Sequence, residues 1–297
     1  MSRILRIGGA CLNQIPMDWD HNLKNIKDVF QEAQLNNIEL LCLPELCITG
    51  YGCEDMFLST WLCETAQAKL IELLPFTSGL TTCLGLPVRF EGQIYNCIAI
   101  IEDKKILGVY AKHNLANNGI HYEKRWFSSW PYHKTETLNI ASQPIQIGAI
   151  SLEIKNIKIG FEICEDAWQE DRPANHLVSK GVELILNPSA SHFAFEKEKY
   201  REQLVVSSSK KFNCTYLYTN LLGNEAGRMI YDGDILIAQN GNLIGHNTRF
   251  SFKPFNILYC EVDFDSQTSS INIKKDYTNK LEEMSQALPL ALFDYLI

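Results

Sequence analysis

The chain has 297 residues, 46% hydrophobic and 21% charged, a composition that allows a sizeable buried core. A formal net charge of -8 and a pI of about 5.4 argue against a broad nucleic-acid footprint, which needs clustered Lys and Arg. No run of about 18 apolar residues occurs and the start, Met1-Ser2-Arg3-Ile4-Leu5-Arg6, has no long apolar stretch, so neither a membrane span nor a secretory leader is expected.

In chain order, residues 4–11 predict a strand and 23–36 a helix, with Ile26, Val29, Phe30 and Ala33 at helical spacing. A short buried strand over 39–43 stops at Pro44. Residues 59–74 predict a second helix with Ser59 as its N-cap. An apolar strand follows at 81–88, then a hairpin of 93–102 with 106–111 through Asp103-Lys104. A second hairpin joins 146–154 to 157–163 through Lys155-Asn156. A helix over 173–180 closes at Gly181, a strand spans 182–186, a longer helix 197–211 and a strand 215–219. The hairpin of 234–238 with 243–246 turns through Asn240-Gly241, and 257–262 is the last strand. Residues 265–279 are polar, and 280–297 form an amphipathic helix, so the expected division is a domain over 1–264 followed by a linker and helix. Hairpins mixed with helices predict mixed sheets whose outer faces are covered by helices.

Ten cysteines lie mostly in apolar runs, and no pair has Cys-x-x-Cys spacing. Neither a zinc site nor a dithiol redox motif is expected, and so many free thiols fit a reducing cytoplasm.

Three segments place a reactive group at a strand end. In Leu41-Cys42-Leu43-Pro44-Glu45, a buried strand delivers a carboxylate where proline stops the ladder. Apolar surroundings would raise its pKa toward that of a general base. In Gly108-Val109-Tyr110-Ala111-Lys112, a strand ends in a lysine; most such lysines are solvated, but one beside a carboxylate is a fixed cation suited to an oxyanion. In Phe161-Glu162-Ile163-Cys164-Glu165-Asp166, an apolar strand runs into a cysteine. Core packing is the default for any one of ten thiols, yet an elbow at Cys164 would expose its sulfur. The flanking acids would raise its pKa, so a lysine is expected nearby to favour the thiolate. Among the histidines, His192 in Ser189-Ala190-Ser191-His192 is the best candidate to line a site.

Glu45, Lys112 and Cys164, in this order and these contexts, resemble the catalytic set of the nitrilase (carbon–nitrogen hydrolase) superfamily. Thr49-Gly50-Tyr51, Arg125-Trp126-Phe127, Cys164-Glu165-Asp166-Ala167-Trp168, Ser189-Ala190-Ser191-His192 and Tyr231-Asp232-Gly233 further resemble the amino-terminal glutaminase domains of glutamine-dependent NAD synthetases, over residues 4–264. Residues 290–296 resemble the helix that leads into the synthetase domain.

The resemblance implies an α/β fold, a four-layer αββα sandwich with two central mixed β-sheets. It implies Cys164 as the nucleophile that attacks the glutamine side chain, Glu45 as general base, and Lys112 with the Glu165 N–H as oxyanion donors. Ammonia would leave a γ-glutamyl thioester for water to cleave. Glu123 would orient Lys112, and Tyr51, Ser191 and Lys197 would line the glutamine pocket. Lys197 and Asn118 stand where some members carry arginine and tyrosine, so contacts to the α-carboxylate would differ. No metal or organic cofactor is implied for this half-reaction; ATP and deamido-NAD belong to a synthetase domain outside these residues. Implied partners are glutamine, a synthetase domain or subunit, and further copies of the chain in a homo-oligomer. The alternatives are a free-standing amidase for another small ω-amide or carbamoyl compound, and a silent interaction subunit.

Overall fold

Alternating apolar positions along short β-branched runs give two sheets that meet face to face. The computed structural model describes residues 3–225, 227–266, 273, 277 and 279–296. The first sheet holds β1 (Ile4–Leu12), β2 (Leu40–Cys42), β3 (Thr81–Phe90), β4 (Gln93–Glu102), β5 (Lys105–Ala111), β6 (Thr135–Ile140), β7 (Gln143–Gly148) and β16 (Phe255–Asp263), in the order β16-β1-β2-β3-β4-β5-β7-β6. The second holds β8 (Leu152–Ile154), β9 (Ile157–Phe161), β10 (Leu184–Ser189), β11 (Thr215–Asn220), β14 (Ile235–Gln239) and β15 (Asn242–His246), in the order β15-β14-β11-β10-β9-β8. A separate two-stranded ribbon pairs β12 (Leu222–Glu225) with β13 (Met229–Asp232).

Each large sheet has a parallel centre, β1-β2-β3 in one and β9-β10-β11 in the other. Leu5, Ile7, Leu40 and Ile98 of the first sheet pack against Ile159, Leu186, Leu217 and Ile237 of the second. Behind the first sheet, α1 (Trp19–Leu35) and α2 (Thr60–Leu73) bury Ile26, Phe30 and Leu70 against Leu41 and Leu84. After the single turn α3 (Glu123–Trp126), α4 (Pro173–Ser179) and α5 (Lys197–Lys211) cover the second sheet through Leu177 and Val205 against Tyr216 and Tyr218. The four layers are helix, sheet, sheet, helix, the sandwich the resemblance implied. No helix among the described residues is long and apolar enough to cross a membrane.

Several boundaries differ from the sequence expectation. Helix α1 begins at Trp19 because the Asp18 side chain accepts the His21 N–H and caps it. Ser59 does precede α2, but its hydroxyl donates to the Met56 carbonyl instead of capping. Residues 146–154 are not one strand. Gly148, at φ +127°, turns the chain from β7 in the first sheet to β8 in the second. A Cβ there would sit 2.6 Å from the Trp130 indole nitrogen, so only glycine fits the bend. The β6–β7 hairpin was not legible because Ala141 and Ser142, rather than Asn-Gly, take its two positive φ angles.

The tail helix α6 (Lys280–Leu296) lies on the β12–β13 ribbon. Ala287 and Leu290 pack with Leu222 and Phe250, and Glu283 pairs with Arg249 at 2.7 Å.

Candidate active site

The reactive groups come from loops at the carboxyl ends of strands, where open sheets leave a crevice. Glu45 follows β2 in a loop whose backbone lies directly on Gly85 of β3. A Cβ at Gly85 would be 2.1 Å from the Leu46 nitrogen and 2.7 Å from the Glu45 carbonyl carbon. Both neighbours are backbone, so they have no rotamer with which to yield. Gly85→Ala is therefore expected to destabilise the fold by about 1–3 kcal/mol, in the range of overpacked cores. A lowered urea midpoint checks this; an unchanged one would mean the loop moves freely.

Lys112 follows β5 and points inward, fully buried. Its Nζ donates to Glu45 Oε1 at 2.6 Å and to Glu123 Oε1 at 2.8 Å. Glu45 also accepts from Asn96 Nδ2 at 2.7 Å and from the Ala190 N–H at 2.8 Å. Glu123 accepts from the Tyr51 hydroxyl at 2.8 Å and the Ala116 N–H at 3.0 Å. Burial pushes the Glu45 carboxyl up to about 7, against the pull of Lys112. Burial alone would lower Lys112, but Glu123 and Glu45 more than offset it and hold its pKa well above the usual lysine value. Lys112 is thus held as a cation between two carboxylates, and the raised Glu45 carboxyl lies in the range where a general base is useful.

Cys164 sits at the start of a 3₁₀ turn, Cys164–Trp168, just beyond β9. Its φ of +44° is a sparsely populated conformation for a residue with a side chain. The turn is clamped from below by Asp166, whose carboxylate accepts the Ile163 N–H at 2.9 Å and the Asn114 N–H at 2.7 Å. That clamp ties the cysteine turn to the loop after Lys112. Glu162 points the other way, to Arg172, the Tyr216 hydroxyl and the Ala174 N–H. The Ala190 N–H that binds Glu45 also faces the Cys164 sulfur.

Burial, followed by Glu45, drives the Cys164 thiol up to about 12, and Lys112 offsets only part of this. Cys164 is therefore a thiol near neutral pH, and any attack by its sulfur would need a base to take the proton.

A cavity of about 310 Å³ opens over Cys164, with Glu165, Ser191, His192 and Lys197 in its wall beside Trp168. His192 meets His121 at 2.9 Å, and His121 meets the Tyr51 hydroxyl at 3.0 Å. Burial and then Lys197 push His121 down to about 4 and His192 to about 3, so both rings are neutral at pH 7. Burial and then Arg201 lower Lys197 to about 8.

Glu45, Lys112 and Glu123 therefore form one cluster, and Cys164, Glu165, Ser191, His192 and Lys197 line the adjoining cavity. Tyr51 stands behind the wall, with its hydroxyl on Glu123 rather than in the cavity. Asn96, His121, Asn220 and Arg201 were not singled out from sequence. Asn220 clamps Ser191 through both its N–H and its carbonyl at 2.8 Å, and Arg201 holds the carbonyls of Ser191 and His192 at 3.2 Å. Asp232, within the quoted Tyr231-Asp232-Gly233 motif, anchors both clamps.

A four-layer sandwich that seats a strand-end cysteine beside a buried Glu–Lys–Glu cluster defines a hydrolase of carbon–nitrogen bonds. The chain belongs to the carbon–nitrogen hydrolase family, whose sequence profile matches residues 7–271. It is 32% identical over 280 residues to the glutamine-dependent NAD(+) synthetase of Oryza sativa subsp. indica, covering 90% of this chain and 38% of that protein. The crystal structure of a glutamine-dependent NAD(+) synthetase from Cytophaga hutchinsonii is similar at 47% identity and a TM-score of 0.88, over 98% of this chain and 46% of that one. The chain thus spans less than half the length of these relatives. An amidase from Nesterenkonia sp. shares the fold, with 18% identity and a TM-score of 0.71 over 88% of this chain and 90% of that one.

Proposed function

We propose that this chain is a glutamine amidohydrolase that releases ammonia for an NAD synthetase centre built by residues outside it. The observation that carries the reading is the buried cation Lys112, bonded to Glu45 and Glu123 beside the Cys164 cavity. The similarity to glutamine-dependent NAD synthetases directs the choice of amide to glutamine.

In this reading Glu45 takes the thiol proton as the Cys164 sulfur bonds to the side-chain carbonyl carbon. The resulting oxyanion rests on Lys112 and the Glu165 N–H. Protonated Glu45 then returns the proton to the departing nitrogen, ammonia leaves, and a γ-glutamyl thioester remains. Water attacks the thioester as Glu45 removes its proton, the Cys164 sulfur departs and is reprotonated, and glutamate is released. Two steps of moderate barrier replace one difficult one. No metal or organic cofactor takes part; ATP and deamido-NAD would be substrates of the synthetase centre.

Ammonia release from glutamine, asparagine and simple ω-amides tests the reading. Preference for glutamine is expected; preference for another ω-amide or a carbamoyl compound would replace it with the free-standing amidase. Lys197 lines the cavity, at the position where the family resemblance implies arginine in some members, and that departure favours the second reading.

The pH profile has a defined sign. Below about 7 Glu45 becomes protonated and cannot accept the thiol proton. On the acid side, kcat/KM is expected to fall roughly tenfold per pH unit, as for one essential base. A flat profile from pH 5 to 8 would remove Glu45 from that role.

A further inference from the structure

A line of hydrogen bonds connects the C-terminal helix with the catalytic cluster. At its inner end the Tyr51 hydroxyl donates to Glu123 Oε1, the same oxygen that binds Lys112 Nζ. The Tyr51 and Gly52 backbone N–H groups both donate to the Glu225 carboxylate, at 3.1 and 2.6 Å. Glu225 ends β12 and is 1% exposed. Its neighbour Asn224 is fastened to α6 twice. The Asn224 N–H donates to Asp294 Oδ2 at 2.6 Å, and its Nδ2 donates to the Ala291 carbonyl at 3.0 Å.

Burying a carboxylate is costly, and filling space does not require one. What this carboxylate does is grip two successive N–H groups, which fixes both the position and the tilt of the Tyr51 backbone. The turn before Tyr51 is tight: Gly50 lies at φ +79°, and a Cβ there would be 2.9 Å from Pro16 Cα. The outer end is bordered by open space. A cavity of about 550 Å³ lies between α6 and the chain around Gln14, with Asn224 and Glu225 in its wall, leaving room beside the helix.

We propose that Glu225 is a positioning residue for the Glu123–Lys112 pair, and that the seat of α6 on β12 sets its position. Whatever shifts α6 then alters turnover without touching substrate. The inference rests on the amide-hydrolase reading above.

The test is a pair of double-mutant cycles in the full chain: Glu225→Gln with Tyr51→Phe, and Asp294→Ala with Tyr51→Phe. kcat and KM for glutamine, the thermal midpoint, and the rate of Cys164 alkylation by iodoacetamide, resolved by peptide mass spectrometry, are measured for each. Glu225→Gln is expected to lower kcat by about 10- to 100-fold, the scale of a small misplacement of catalytic groups, with KM changed far less. Asp294→Ala should lower kcat less. Each double variant should be no slower than Tyr51→Phe alone, because all act through one path. Effects that multiply, or a Glu225→Gln protein with a lower midpoint and wild-type kcat, would overturn the proposal. If Glu225→Gln fails to fold, the Asp294 cycle decides by the same criteria. Wild-type protein that releases ammonia from no amide would refute the hydrolase reading instead. The alkylation cycle then judges this inference, since it needs only the surroundings of the thiol.

Discussion

Cys164→Ala is expected to abolish ammonia release, with a fall in turnover on the order of 10⁶, the scale seen when a covalent nucleophile is removed. The substitution is small. Alanine inherits the same φ of +44°, so the strain of the turn is unchanged, and the Asp166 clamp below it does not involve the sulfur. Folding should therefore be preserved, and glutamine should still enter the cavity. Two measurements frame the result. Acid-quenched wild-type protein should carry a glutamyl adduct on the Cys164 peptide, and the variant should carry none. Turnover that survives in the variant would place the nucleophile elsewhere and remove the thioester. The nine remaining thiols are poor substitutes, since all but Cys260 are buried.

Lys112→Met should damage both activity and stability. Removing an oxyanion donor typically lowers kcat by about 10²–10³. The same change strips the shared cation from two buried carboxylates, and breaking a buried pair in this way costs about 3–5 kcal/mol. The pH dependence identifies the cause. Lys112 is the main group holding the Glu45 pKa down, so its loss raises that pKa further above the ordinary carboxylate value of 4.5. A carboxyl whose folded pKa exceeds its unfolded one supports folding below the unfolded value and loses that support as pH rises through the folded one. The variant should accordingly lie closest to wild type in urea midpoint near pH 4.5 and diverge as pH rises through 7 and beyond. A deficit independent of pH would point to lost packing rather than exposed charge, and near-normal turnover would mean that another lysine serves the oxyanion.

Much of this protein is legible in its sequence because its signals are local. Pro44, Lys112 and the polar run after Cys164 each mark the end of an apolar strand. Strand ends are where an α/β sheet presents its chemistry, so the three reactive residues stand out one by one. Their order and contexts carry the resemblance to the nitrilase superfamily, and the fold follows from it. The hairpins through Lys155-Asn156 and Asn240-Gly241 were equally readable, since those turns demand residues that tolerate positive φ.

What only the tertiary structure decided are the relations between segments far apart in the chain. The state of Cys164 is one. Local sequence sets acids against a lysine near this thiol, and only the fold decides the balance: burial, Glu45 and Glu123 outweigh Lys112 and push the thiol pKa up. Gly85 is another: its purpose is a backbone contact with a loop some forty residues earlier, which no local pattern encodes. Asn220, Arg201, Glu225 and Asp294 read as ordinary polar residues until the fold brings them to the loops they hold. Glu45, Lys112 and Cys164 were thus identifiable from sequence, because strand ends and turn chemistry are written locally. Their protonation and their clamps were not, because desolvation and long-range hydrogen bonds exist only once the sheets have met.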